Sequence, residues 1–182
     1  MIYSKHKGEH FILLANHKKD SKKWAGLGGK FDPLWDETSL DAAIRETSEE
    51  SFCYFTEAAF LTAPTDFKPI YEEDFVTYLV EVSYVDPVII ENKQRRKSYC
   101  KDKKITNERI LFHWAKWSNL KQDLLHLKKA NKLSIDGSSK SQELNVLHVG
   151  LPGQGNYYRA AYARTLYKFL EKVKDKQYPG WR

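Results

Sequence analysis

Sulfur is scarce in this chain: two cysteines and one methionine in 182 residues. Cys53 and Cys100 stand far apart, which argues little for a disulfide framework and fits a reducing compartment. Long apolar runs are missing too. The longest, Phe11–Ala15 and Phe75–Val82, fall well short of the ~20 residues a membrane helix needs. The opening Met1-Ile2-Tyr3-Ser4-Lys5-His6-Lys7 lacks the apolar stretch of a signal peptide. A cytoplasmic protein with no membrane partner is expected. No repeat, low-complexity tract or linker divides the chain, so one domain over residues 1–182 is expected. What is present suits a packed core: hydrophobic residues make up 41% and charged residues 30%, which excludes disorder of the low-hydropathy kind. The net charge of +6 favours anionic partners such as nucleotides or RNA. Nothing in the sequence specifies an oligomeric state.

Hydropathy patterning gives a coarse map. Phe11–Ala15, Phe75–Tyr84 and Ile110–Trp117 read as strands. Thr38 to Phe52 reads as a helix, with Thr38 as cap and Asp41 three residues on. Leu40, Ala43, Ile44 and Thr47 recur at the spacing of one helical face and predict its core side. Leu120–Lys129 and a segment starting near Gly155-Asn156 predict two more helices, the last with Tyr158, Tyr162, Leu166, Phe169, Leu170 and Val173 inward. Lys18–Lys23 and Asp136–Ser141 read as turns, and Lys93–Lys104 as a basic loop. Strands and helices mix without regular βαβ alternation, so the expected class is α+β.

The informative stretch is Trp24 to Cys53. Glu46, Glu49 and Glu50 fall within roughly a 100° arc of the predicted helix. Three carboxylates crowded on one edge repel and raise one another's pKa values. A hard divalent cation removes that conflict, because Mg²⁺ takes oxygen ligands and bridges to phosphates. Upstream lies the glycine-rich Gly26-Leu27-Gly28-Gly29-Lys30, which needs unusual backbone angles.

Glu37, Arg45, Glu46, Glu49 and Glu50 stand at the relative spacing of the Nudix box, and with the glycine lead the stretch resembles that family. If each residue type occurs at ~6%, five such matches arise by chance on the order of once in 10⁶ windows. Departures exist. Seven residues rather than five separate Gly29 from Glu37, so Asp32-Pro33-Leu34-Trp35 looks like an insertion. Phe52 replaces the closing glycine, which implies a different turn at the helix end. Thr47 fills an aliphatic position. Downstream, Trp114-Ala115-Lys116-Trp117-Ser118-Asn119-Leu120 is similar to a segment on the far wall of many Nudix sites, and Glu108 stands where some members carry a further glutamate.

The resemblance implies an α/β/α sandwich with a mixed central sheet. It also implies hydrolysis of a phosphoanhydride in a nucleoside triphosphate or a nucleoside diphosphate-linked substrate, with Mg²⁺ (or Mn²⁺). Glu46, Glu49, Glu50, Glu108 and the carbonyl of Gly28 would hold metal. Glu49, Glu50 or Glu108 would be the general base. Arg45 and Glu37 would form an orienting pair. Lys30, Gly29 and Trp24 would meet substrate. Alternatives are a non-catalytic nucleotide- or RNA-binding module of the same fold, or an RNA-decapping enzyme whose basic loop 93–104 tracks RNA.

Other motifs fail. No Ser or Thr follows Lys30, so the glycines are not a P-loop. Gly150-Leu-Pro-Gly-Gln-Gly155 does not match the dinucleotide fingerprint. His6, His10 and His17 have no partners at zinc spacing. Ala25 has no side-chain hydrogen-bonding group for reading a base. Pro69 and Tyr71 point to different substrates within the family. The substrate stays open between an oxidised nucleoside triphosphate, ADP-ribose, a dinucleoside polyphosphate and capped RNA.

Overall fold

The computed structural model describes residues 1–17, 23–57, 60, 69–72, 75–95, 110–129, 144–145, 157–158, 160–175, 178 and 180–181. The fold is mixed α+β. Its strands are β1 (Ile2–His6), β2 (Glu9–His17), β3 (Lys23–Ala25), β4 (Ile70–Tyr71), β5 (Val76–Thr77), β6 (Val80–Glu81), β7 (Ile110–Lys116), β8 (Leu144–Asn145) and β9 (Tyr157–Tyr158). Its helices are α1 (Ser39–Glu50), α2 (Pro87–Arg95), α3 (Trp117–Lys129) and α4 (Ala160–Lys174). No helix among the described residues is long and apolar enough to cross a membrane.

β2 organises the sheet. One edge pairs antiparallel with β7 from Phe11 to His17. The other edge is shared: β1 pairs along Glu9–Ile12 and β3 along Ala15–Asn16, both antiparallel. β6 adds parallel to β1 and β9 parallel to β3, so the sheet is mixed. β1 and β2 join through Lys7 and Gly8, both at positive φ (50° and 80°), the two-residue turn whose twist matches a hairpin. β4 and β5 form a separate small sheet.

The alternation of β2 sorts the core into two layers. Ile12 and Leu14 face one side with Trp24 and Ala115, against Leu120 and Leu124 of α3 and Leu166, Phe169 and Leu170 of α4. Leu13 and Ala15 face the other side with Phe112 and Trp114, against Ile90 of α2 and Phe52 and Phe55, which follow α1. Helices therefore lie against both faces of the sheet.

Several expectations are revised. The predicted strand 75–84 is two short strands, β5 and β6, in different sheets. The last helix begins at Ala160, and Tyr158 belongs to β9. Lys93 to Arg95 end α2 instead of opening a loop; residues 96–104 lie outside the described residues, as do turns 18–22 and 136–141. Cys53 is disulfide-bonded, against the expectation of reduced thiols. The other cysteine of the sequence, Cys100, lies outside the described residues.

The faces of α1 also differ from expectation. Its buried residues are Ala42 and Thr47, whereas Leu40 is 39% exposed and Ile44 lines a surface cleft. Ile44→Ala should therefore cost less than about 1.5 kcal/mol, the scale of a partly exposed side chain. Leu13→Ala, fully buried, should cost about 2–5 kcal/mol. Chemical denaturation of both variants checks the placement, and an Ile44→Ala loss as large as that of Leu13→Ala would contradict it.

Candidate active site

α1 starts where local chemistry starts it. Thr38 is the cap: its hydroxyl accepts from the backbone N–H of Asp41, and the Asp41 carboxylate accepts from the backbone N–H of Thr38 at 2.7 Å. This reciprocal box satisfies two orphan donors at the helix start.

The helix end is a glycine-type turn built without glycine. Cys53 N–H donates to Ser48 O at 2.7 Å and Phe52 N–H to Glu49 O at 3.1 Å, the paired pattern of a Schellman cap. Phe52 takes the left-handed position, at φ 54°. The hydrogen bonds are those of a glycine cap, but Cys53 is left-handed as well, at φ 56°, so the chain departs from that turn at the next residue. Left-handed backbone costs a residue with Cβ roughly 1–2 kcal/mol. Burial of the Phe52 ring among Phe55, Phe112 and Trp114 offsets that cost.

The glycine segment then meets the glutamates. Gly28, at φ 146°, adopts backbone that side chains disfavour and donates its N–H to Glu50 Oε2 at 2.9 Å. Gly29 lies so close to Glu46 that an added Cβ would stand 2.1 Å from the carboxylate carbon. Arg45 binds the next residue: its Nη2 donates to the Lys30 carbonyl at 2.9 Å. Three consecutive residues of the loop thus touch three residues of one helix edge. Gly26 is held from behind, with the Tyr162 ring in the space a Cβ would take.

Arg45 is the hub. Its Nε donates to Asp36 Oδ1 at 2.8 Å and Nη2 to Asp36 Oδ2 at 2.9 Å, a two-pronged contact. Nη1 reaches Glu46 Oε1 at 3.0 Å and Glu49 Oε2 at 3.5 Å. Hydrogen bonding to Asp36, above all, pushes the Arg45 pKa up, so the guanidinium stays charged. The Asp36 side chain is fully buried. The pairing expected between Arg45 and Glu37 is therefore not made; Glu37 is exposed, and its neighbour Asp36 takes the role. Spacing alone does not distinguish adjacent acids in a loop of altered length.

Glu46 carries the electrostatic tension. Burial raises its pKa, Arg45 opposes that, and Glu49 and Glu50 raise it further. A half-buried carboxyl beside two others favours a neighbouring cation. The donors on this edge are all oxygen, the set a hard divalent ion takes. Chemically the residues fit Mg²⁺ or Mn²⁺. Among the described residues no group of three or more His, Cys, Asp or Glu is already gathered as a ligand set; Glu46 and Glu49 lean toward Arg45, and Glu50 toward the Gly28 amide.

No family model, curated protein or solved structure matches this chain. The site therefore rests on its own residues. Lys30 and Gly29 are exposed next to the carboxylate edge, open to an anion. Trp24 is not: it is 1% exposed, packed in the core, with its ring edge toward His113 at 6.0 Å, so it is not placed to meet substrate. Its indole N–H finds no partner among the described residues. Glu108 lies outside the described residues.

Gly29→Ala is a sharp test of the loop–helix contact. The added methyl collides with the movable end of a side chain, so the fold should survive with little change in melting temperature. The Glu46 carboxylate, however, must swing away. Divalent-metal affinity, read by titration calorimetry, should fall at least tenfold. Unchanged affinity would mean that Glu46 has no part in a metal site.

Proposed function

We propose that this chain is a Nudix-type hydrolase that cuts a phosphoanhydride bond in a nucleoside triphosphate or nucleoside diphosphate-linked substrate, with a divalent metal. The observation that carries this reading is the meeting of the glycine loop with the glutamate helix: Gly28 on Glu50, Gly29 on Glu46, the Lys30 carbonyl on Arg45. A glycine-rich loop laid along an acidic helix edge brings backbone polar groups and carboxylates to one exposed place. The mixed sheet with helices on both faces is compatible with the α/β/α sandwich that the sequence motif implies.

Glu46, Glu49 and Glu50 would hold the metal. The bound ion would supply charge relief on the phosphoryl oxygens and lower the pKa of a water. The chain's own residues do the rest. Arg45, fixed by Asp36, orients Glu46 and Glu49 in the manner of outer-shell partners that set ligand geometry. Lys30, exposed beside the edge, would meet substrate phosphate as a mobile point charge. Glu49 or Glu50 can accept the proton of the attacking water.

A panel of nucleoside triphosphates, ADP-ribose, dinucleoside polyphosphates and capped RNA, each with Mg²⁺ and with Mn²⁺, tests the reading. Cleavage of at least one substrate is expected. Binding without cleavage of any would instead favour a nucleotide-binding module.

A further inference from the structure

Beside the carboxylate edge stands a turn that displays apolar side chains to solvent. Asp32 Oδ1 accepts from Leu34 N–H at 3.0 Å, and Asp32 O accepts from Trp35 N–H at 3.0 Å and Asp36 N–H at 2.8 Å. Asp36 Oδ2 in turn accepts from Asp32 N–H at 2.8 Å. The turn is clamped, and the Asp36 that clamps it also grips Arg45. From it Leu34 is 85% exposed and Trp35 76% exposed, with Phe31 at 51%. Adjacent large apolar side chains held in solvent by a rigid turn mark a contact surface.

Trp35 lines a cleft of about 520 Å³ on the outer side of α1. Arg45 lines it too, so the cleft adjoins the carboxylate edge. The other walls include Ile44 and the acidic residues Glu37, Asp41 and Glu57, of which Asp41 already accepts from Thr38 in the helix cap. With Asp36 there are four acids to one arginine, and that arginine is already engaged by Asp36. In a chain of net charge +6, this cleft is locally negative.

We propose that the Trp35 cleft binds the positively charged aromatic ring of the nucleotide substrate, a proposal that rests on the hydrolase reading above. An indole face attracts a cationic ring by its quadrupole. Carboxylates at the rim accept hydrogen bonds from ring-edge N–H donors. The phosphates, by contrast, would run toward Lys30 on the other side of Arg45. Among nucleotides with a phosphoanhydride, two common rings are aromatic, cationic and edged with N–H donors: N7-methylated guanine and nicotinamide. Neutral purines lack the charge.

The test uses the full chain, without metal, titrated with N7-methylguanosine monophosphate, nicotinamide mononucleotide and guanosine monophosphate, followed by calorimetry and tryptophan fluorescence. At least one cationic ring should bind about tenfold or more tightly than guanosine monophosphate, a difference within the range of a partly desolvated cation–π contact. The tighter of the two names the source. Trp35→Ala should abolish that preference with no change in melting temperature, Trp35→Phe should keep part of it, and Glu57→Gln should reduce it. Equal binding of all three nucleotides, binding by none, or an indifferent Trp35→Ala overturns the proposal. Ring preference without hydrolysis of any substrate would overturn the hydrolase reading and leave this site standing. Hydrolysis without ring preference would do the reverse.

Discussion

Removing Arg45 should cost about 3–5 kcal/mol of stability, the penalty for leaving a buried charge without its partner. The Asp36 side chain is fully buried and accepts two hydrogen bonds from the Arg45 guanidinium. In Arg45→Ala that carboxylate keeps its N–H donor from Asp32 but loses the two-pronged guanidinium contact. Arg45→Lys should recover only part of the loss, because an ammonium does not reproduce the two-pronged contact. Asp36→Asn should also destabilise, leaving Arg45 with Glu46 and Glu49 as its carboxylate partners. Glu37→Gln is the control: Glu37 is exposed, and its loss should change stability by no more than about 0.5 kcal/mol. Denaturant unfolding of the four variants measures this directly. A Glu37→Gln loss as large as that of Asp36→Asn would show that the ion pair has been assigned to the wrong acid.

The second large effect is on turnover. Glu46→Gln, Glu49→Gln and Glu50→Gln should each lower kcat by about two orders of magnitude or more, the scale seen when one charge-stabilising group is lost from a reaction centre. Stability should respond differently. Glu46 is held above its ordinary pKa by burial and by its acidic neighbours, so in chelator Glu46→Gln should raise the melting temperature or leave it unchanged. Added Mg²⁺ or Mn²⁺ should stabilise the parent and not the variant, since a ligand that binds only the folded state shifts unfolding by mass action. Near-parental kcat in all three variants would remove the glutamates from the chemistry.

The chemical core of the site was legible because it is local. Thr38 and Asp41 cap α1 within four residues, and the glutamate edge follows from helical periodicity alone. That Gly28 lies near the glutamates was implied by the resemblance alone, and the contact of Gly29 with Glu46 is a tertiary feature that no periodicity argument would supply. Features set by tertiary contacts were not legible. Asp36 displaced Glu37 because the turn from Asp32 to Asp36 closes on itself and buries the earlier acid. Ile44 left the core because α1 packs through Ala42 and Thr47, so only Thr47 of its expected inner face is buried. The resemblance put Trp24 against substrate, but the pleat of β3 turns it toward α4. Phe52 read as a broken glycine cap; only its burial against Phe55 and Phe112 explains why a bulky residue sustains left-handed backbone. The hairpin turn at Lys7-Gly8 carried a usable signal, a glycine between two alternating segments.

The most direct test of the central claim is product formation from a nucleotide panel, with parent and Glu50→Gln protein side by side, in Mg²⁺ and in excess chelator. The account predicts cleavage between phosphates of at least one substrate by the parent with metal, loss of that cleavage in chelator, and loss of about a hundredfold or more in the variant. Full activity in chelator, or equal rates for parent and Glu50→Gln, would contradict it.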